Sequence, residues 1–292
     1  MPSSAARALT SVSRAAFSWK PTGRPQQTLA AAVSRSGVGL HSGARVTATL
    51  FPTQAGEGRY FLVEGDEEAR VAAEVGNAEP LSQLCTTLRR GEGAHTRVRT
   101  VEHLLSAMEA LGVDNCRIEV SGGDELIAQW CQRLSVNGFL HSWMIIYTQA
   151  RLRLQELSVY LKRFTHTSSI CFSSLLSPFV QQVEKMRAAG LIKGGSLENA
   201  MVCSISGGWL NPPLRFEDEP CRHKILDLIG DFSLFAQNGN QGFPIAHIIA
   251  YKAGHALHTD FLRHLSGKIT VDQEQLAGRC SDVHGSCSSY VR

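Results

Sequence analysis

The sequence predicts an α+β fold of two similar domains, each a small, mostly antiparallel sheet packed with helices as a two-layer sandwich. Two observations point there. In each half of the chain, runs with the strand period of two come before runs with the helical period, an order that does not build a parallel βαβ sheet. The 292 residues, 43% hydrophobic and 19% charged, are also enough for about two domains of ordinary size.

The elements follow in order. From Gln26, "TLAAAVSRSGVGLHSGARVTATLFPTQ" reads as two short strands joined by a Gly-rich turn, the second alternating cleanly from Val46 to Leu50. "GRYFLVEG" and "EARVAAEV" read as further strands. "TRVRTVEHLLSAMEALGVDNCRIEV" is strand, helix, turn and strand. Thr100 is placed to cap the helix, Val101, Leu104, Leu105, Met108 and Leu111 form its apolar face, and Gly112 ends it.

The same grammar returns late in the chain. "VEKMRAAGLIKGG" is a helix closed by glycines, and "LENAMVCSI" starts a strand. "LRFEDEPCRHKILDLIGDFSLFA" is strand, turn and long helix, and "FPIAHIIAYKAGHALHTDFLRHL" is strand, Gly-His turn and helix. The expected organisation is therefore a leader over 1–25, a first domain over 26–126, a divergent segment over 127–180, a second and incomplete domain over 181–266, and a polar tail over 267–292.

The net charge of +3 belongs to the leader. No Asp or Glu precedes Glu57, while Arg7, Arg14, Lys20 and Arg24 punctuate a Ser- and Ala-rich opening. That pattern resembles an organelle transit peptide, mitochondrial more than chloroplast, with a disordered tail as the alternative; a secretory signal would need an apolar centre. Without those four cations the chain holds 25 basic against 26 acidic residues, so nothing marks nucleic acid as a partner. No apolar run approaches the ~18 residues of a membrane span. The eight cysteines contain no C-x-x-C pair; with no secretory signal they read as reduced thiols, and a metal must be sought among His and Asp.

Three stretches carry chemistry. In "CRHKILDLIGD", residues 221–231, His223, Asp227 and Asp231 recur every four positions beside the apolar Ile225, Leu226, Leu228 and Ile229. Residues four apart stack on one helix face, so an imidazole and two carboxylates line up. By itself this is either a solvated His–Asp pair or part of a metal site. "TVEHLL" puts Glu102 and His103 at the first turn of a helix, and "AYKAGHAL" puts His255 after a glycine, between strand and helix.

Together, "SGVGLHSGARVTATLFP", "CTTL", "RTVEHLLSAMEALGVDNCRIEV", "GGSLENAMV", "LRFEDEPCRHKILDLIGDF" and "AYKAGHAL" resemble the UDP-3-O-acyl-N-acetylglucosamine deacetylases of lipid A biosynthesis, in the family's order. The resemblance covers roughly 26–126 and 181–265 and, with the leader, points to a plant mitochondrial member working in the matrix. It implies one zinc ion per chain held by His103, His223 and Asp227, which is the ligand chemistry of a catalytic zinc with one open position. It implies hydrolysis of the 2-acetamido group of a UDP-linked, acylated glucosamine, releasing acetate, as the committed step of that pathway. Glu102 would take a proton from water, His255 would protonate the leaving amine, and Asp231 would orient His255. Lys224 would reach substrate phosphate or the oxyanion, and His41 would either contact substrate or shape its turn. The expected assembly is a monomer.

The chain departs from the family over Ile127–Val180, whose only acidic residue is Glu156. The strands that would shape the acyl-chain passage are not recognisable there, and the composition fits a shifted frame or a retained intron. The alternative function is accordingly a zinc-binding but catalytically silent isoform.

Overall fold

Val46, Ala48 and Leu50 are buried while the residues between them are not, the signature of a strand with one face against a core. The computed structural model describes residues 23–82, 84–91, 96–126, 185–196, 203–204, 208–209, 219–244, 248–250 and 253–267. The leader to residue 22, the divergent segment 127–180 and the tail from 268 lie outside these. Residues within 26–262 belong to one compact unit, and 263–267 belong to another.

The first half builds a five-stranded sheet from β1 (Val33–Val38), β2 (Arg45–Pro52), β3 (Arg59–Val63), β4 (Val71–Ala72) and, after two short strands and a helix, β7 (Cys116–Ser121). The spatial order is β1-β2-β7-β3-β4. All neighbours are antiparallel except β3 and β7. A parallel pair needs a crossover, and here it passes through α1 (Glu102–Leu111). In register, Ala48 pairs with Val120 and Leu50 with Ile118, so buried residues of β2 and β7 share one face. β5 (Thr87–Arg89) and β6 (Arg97–Arg99) form a separate hairpin.

Helix α1 buries Leu104, Leu105 and Met108, whereas Leu111, expected on the same face, is 41% exposed at the helix end. Gly112 closes the helix at φ 70°, ψ 28°, the left-handed geometry that favours glycine. Arg59 donates from Nε to Val113 O at 2.8 Å and pairs with Glu109 at 2.7 Å, tying the helix end to β3. Thr100 does not cap α1. The cap position is Val101, with no side-chain cap bond, and Thr100 itself sits at φ 60° with its hydroxyl donating to Glu125 at 3.4 Å.

Of the second half, 185–188 form one helical turn. β8 (Cys203–Ser204) pairs antiparallel with β9 (Gly208–Trp209). The long helix expected after "LRFEDE" is α2 (Glu219–Phe232), and the helix after the Gly-His turn is α3, over 255–267. The strand expected ahead of α2 lies outside the described residues, and 248–250 carry no strand. Antiparallel and mixed sheets with segregated helices make this an α+β protein, as the periodicities predict. Cys85 and Cys116 are buried free thiols, and burial pushes the Cys116 thiol up to about 12. No described helix is long and apolar enough to cross a membrane.

Candidate metal centre

Helix α2 turns Leu226, Leu228, Ile229 and Phe232 into the core together with Asp227 and Asp231, both 2% exposed or less. What brings α1 against it is a residue without a side chain. A Cβ on Gly230 would overlap the backbone carbonyl of Glu102, so only glycine lets the start of α1 lie directly on α2. That contact sets Glu102 and His103 beside the row of titratable groups on α2.

The first group is His103, His223 and Asp227, whose ligand atoms lie within 4.8 Å of one another. Asp227 Oδ1 is 3.3 Å from His103 Nε2 and 3.4 Å from His223 Nε2, and the two rings meet edge to face at 5.0 Å. Tetrahedral ligands bound at 2.0–2.1 Å to one ion are separated by about 3.3–3.4 Å. Oδ1 is buried and accepts no hydrogen bond of ordinary geometry, although a buried carboxylate oxygen normally has a partner. The other oxygen, Oδ2, accepts from Lys224 Nζ at 3.1 Å. Burial outweighs the attraction of Asp227 and lowers His223 to about 4. For Asp227 burial works the other way, but the neighbouring His223, His103 and Lys224 side chains prevail and hold the carboxyl well below the usual range. Two imidazole nitrogens and a carboxylate oxygen at these separations fit a divalent ion of the zinc type.

The second group adjoins it. His255, at the start of α3, points Nε2 toward Glu102 Oε1 at 4.0 Å and donates from Nδ1 to Asp231 Oδ2 at 2.9 Å. Asp231 is fully buried. Its Oδ2 also accepts from His258 Nδ1 at 2.7 Å, and its Oδ1 accepts from the Thr86 hydroxyl. Thr86 Oγ1 is 3.1 Å from His255 Nδ1, and the Thr86 backbone N–H donates to Glu102 Oε2 at 2.9 Å. Burial raises Glu102 above the ordinary carboxylate range, opposed by His255 and His103. Burial disfavours the His255 cation, but Glu102 and Asp231 outweigh it and raise His255 to about 9. The same pairing, with His255 and then His258, overcomes desolvation and lowers Asp231. A buried acid pushed up and a buried imidazole pushed up, 4.0 Å apart, are the kind of perturbed pair that clusters at functional sites.

Six of the eight residues singled out in the sequence, with Lys224 as a seventh, therefore share one site. His41 is held elsewhere. Its backbone N–H and that of Ser42 each donate to the buried Glu125 at 2.8 Å, and its Nδ1 donates to Leu191 O at 2.7 Å, contacts compatible with a residue shaping its turn, while its Nε2 is buried without a hydrogen-bond partner. Sequence reasoning missed Thr86, His258 and Glu125. Nothing in the pattern of "CTTL" separates its two threonines, and the one signal for His258 is its position three residues after His255 on the same helix.

The family model for UDP-3-O-acyl N-acetylglycosamine deacetylase (LpxC) matches residues 26–128 and again 125–267. An Arabidopsis thaliana protein, probable UDP-3-O-acyl-N-acetylglucosamine deacetylase 1, mitochondrial, is 41% identical over 301 residues, covering 85% of this chain and 90% of that one. UDP-3-O-acyl-N-acetylglucosamine deacetylases of Trichormus variabilis and of a Synechocystis strain are 38% and 36% identical, over 80% and 82% of this chain and 95% and 98% of their own. With two matches that span the described sheet, both site helices and His255, the chain belongs to the UDP-3-O-acyl N-acetylglycosamine deacetylase family.

Proposed function

We propose that this protein hydrolyses the 2-acetamido group of a UDP-linked 3-O-acyl-N-acetylglucosamine in a zinc-dependent reaction, releasing acetate, as the committed step of lipid A biosynthesis in the mitochondrial matrix. The observation that supports it most is the adjacency of two sets of groups. Asp227 Oδ1 stands at tetrahedral separations from His103 Nε2 and His223 Nε2, and Glu102, next in sequence to His103, lies 4.0 Å from His255.

Zinc held by these three residues would polarise the amide carbonyl and lower the pKa of water. Lys224 holds Asp227 Oδ2, which leaves Oδ1 toward the two histidines; its ammonium would also serve a developing oxyanion or a substrate phosphate. Glu102 takes the proton of the attacking water at Oε1, since Oε2 is occupied by the Thr86 N–H. His255 delivers a proton from Nε2 to the departing amine, which cannot leave as an anion. Asp231 keeps the His255 ring in place through Nδ1 and stabilises its cationic form. Burial of Glu102, Asp227 and Asp231 makes each charge act through a low local dielectric, where such effects are largest.

The leader over 1–25 acts as the transit peptide, in keeping with the mitochondrial name of the Arabidopsis relative, and 26–126 and 181–266 act as the two deacetylase domains, in a monomer. The test is turnover of UDP-3-O-acyl-N-acetylglucosamine by the full chain, metal-stripped and zinc-restored, with Glu102→Gln and His255→Gln as controls. Zinc-dependent acetate release lost in both variants supports the reading. A zinc-loaded chain that releases no acetate is the silent isoform instead, the outcome that the divergent 127–180 segment would produce.

A further inference from the structure

We propose that Thr86 is the positioning residue that joins the two proton-transfer groups and, together with Asp231, holds His255 in its Nδ1–H tautomer, an inference that rests on the deacetylase reading for its kinetic consequence but not for its geometry. Thr86 lies just ahead of β5, outside every helix of the site, and is 1% exposed. Three of its contacts reach that machinery. The backbone N–H donates to Glu102 on α1, the hydroxyl donates to Asp231 on α2, and the same oxygen lies 3.1 Å from His255 on α3.

A hydroxyl has one hydrogen. A carboxylate can only accept, so the Thr86 hydrogen is committed to Asp231 Oδ1. Oγ1 therefore turns a lone pair toward His255 Nδ1, and Asp231 Oδ2 does the same from 2.9 Å. Two acceptors on one ring nitrogen require that nitrogen to carry the hydrogen. The neutral ring is thus Nδ1–H, and Nε2, the atom facing Glu102, is the one that gains and loses the proton. The Glu102 Oε2 bond to the Thr86 N–H orients the base in the same way, leaving Oε1 toward Nε2. His258 completes the arrangement by donating its own Nδ1–H to Asp231 Oδ2 at 2.7 Å, which leaves the carboxylate's two oxygens bound by three donors. Second-layer partners of this kind are worth 10–100-fold in activity.

The test pairs kinetics with a measurement that needs no turnover. Thr86→Val keeps the shape and removes the hydroxyl; Thr86→Ser keeps the hydroxyl. We expect Thr86→Val to lower kcat about 10–100-fold with KM within about twofold and zinc content unchanged, and Thr86→Ser to stay within about threefold of the parent. In 15N-histidine-labelled protein at alkaline pH, where the ring is neutral, the His255 resonances should report Nδ1–H in the parent and in Thr86→Ser. A dominant Nε2–H tautomer in the parent overturns the inference, as does Thr86→Val with a third or more of the parental kcat. Should the valine variant not fold, Thr86→Ala takes its place, judged by the same kcat threshold and by the His255 tautomer. If Glu102→Gln and His255→Gln leave turnover intact, or the zinc-loaded chain releases no acetate, the deacetylase reading fails instead, while the tautomer still judges Thr86.

Discussion

Replacing Asp231 with Asn removes a buried charge from His255 while keeping the side chain's shape, and its effect can be worked from the site. Oδ2 lies 2.9 Å from His255 Nδ1. Charge centres ~4 Å apart attract by about 4 kcal/mol at the effective dielectric of ~20 that suits protein sites, or about 3 pKa units at 1.36 kcal/mol per unit. The Asn oxygen still accepts from Nδ1 and Glu102 still faces Nε2, so we expect a net fall of about 1–2 units. His255 is raised to about 9 in the parent. The alkaline limb of kcat against pH, which reports loss of the acid's proton, should therefore move to lower pH in the variant, and kcat should fall 10–100-fold. A cation on the His103–His223–Asp227 atoms acts on both proteins in the same direction, so the difference between them is the readout.

Stability should follow the same sign. The folded pKa of His255 lies above its unfolded value of 6.5. Its charge therefore stabilises the fold fully below about pH 6.5, and that contribution, at most about 3 kcal/mol, is lost as pH rises through about 9. The urea midpoint of the parent should fall across this window, and that of Asp231→Asn should fall less. An alkaline limb that stays in place in Asp231→Asn, with zinc content full, would refute the argument. So would a limb unchanged in His255→Gln.

Other outcomes follow from the same geometry. His223→Ala should cost most of the bound zinc, read by elemental analysis of gel-filtered protein, because one of three ligands is gone; full occupancy would rule His223 out as a ligand. Glu102→Ala should keep its zinc while turnover drops by about two to four orders of magnitude, the usual share of a general base; near-normal turnover would move that role elsewhere. Gly230→Ala places a methyl on the carbonyl of Glu102, so α1 and α2 must separate, and we expect a loss of about 2–3 kcal/mol by chemical denaturation together with weaker zinc retention. An unchanged midpoint would mean that the close approach of the two helices is not needed. Protein isolated from mitochondria should begin near residue 25, and Edman sequencing that returns Met1 or Pro2 would contradict the leader.

Much of the site was legible because it is written in helical arithmetic. His223, Asp227 and Asp231 recur every four residues, and that spacing alone places them on one face whatever else the chain does. Alternation from Val46 to Leu50 likewise specified a half-buried strand, and Gly112 a helix end. The sequence also showed an acid-free N-terminal stretch and no C-x-x-C pair among its cysteines. It could not say which oxygen of Asp227 would be left without a hydrogen bond, nor that α1 would approach α2 at Gly230. Thr86 and His41 look alike as sequence, each a polar residue beside a turn or strand. Only packing separates them: one ties together base, carboxylate and imidazole, and the other is bound to Glu125 and Leu191. Thr86 and His255 are far apart in the chain, and no local period relates them. Their contact exists because three helices and a strand end converge, and long-range convergence is set by the sum of the core's packing rather than by any segment's own pattern.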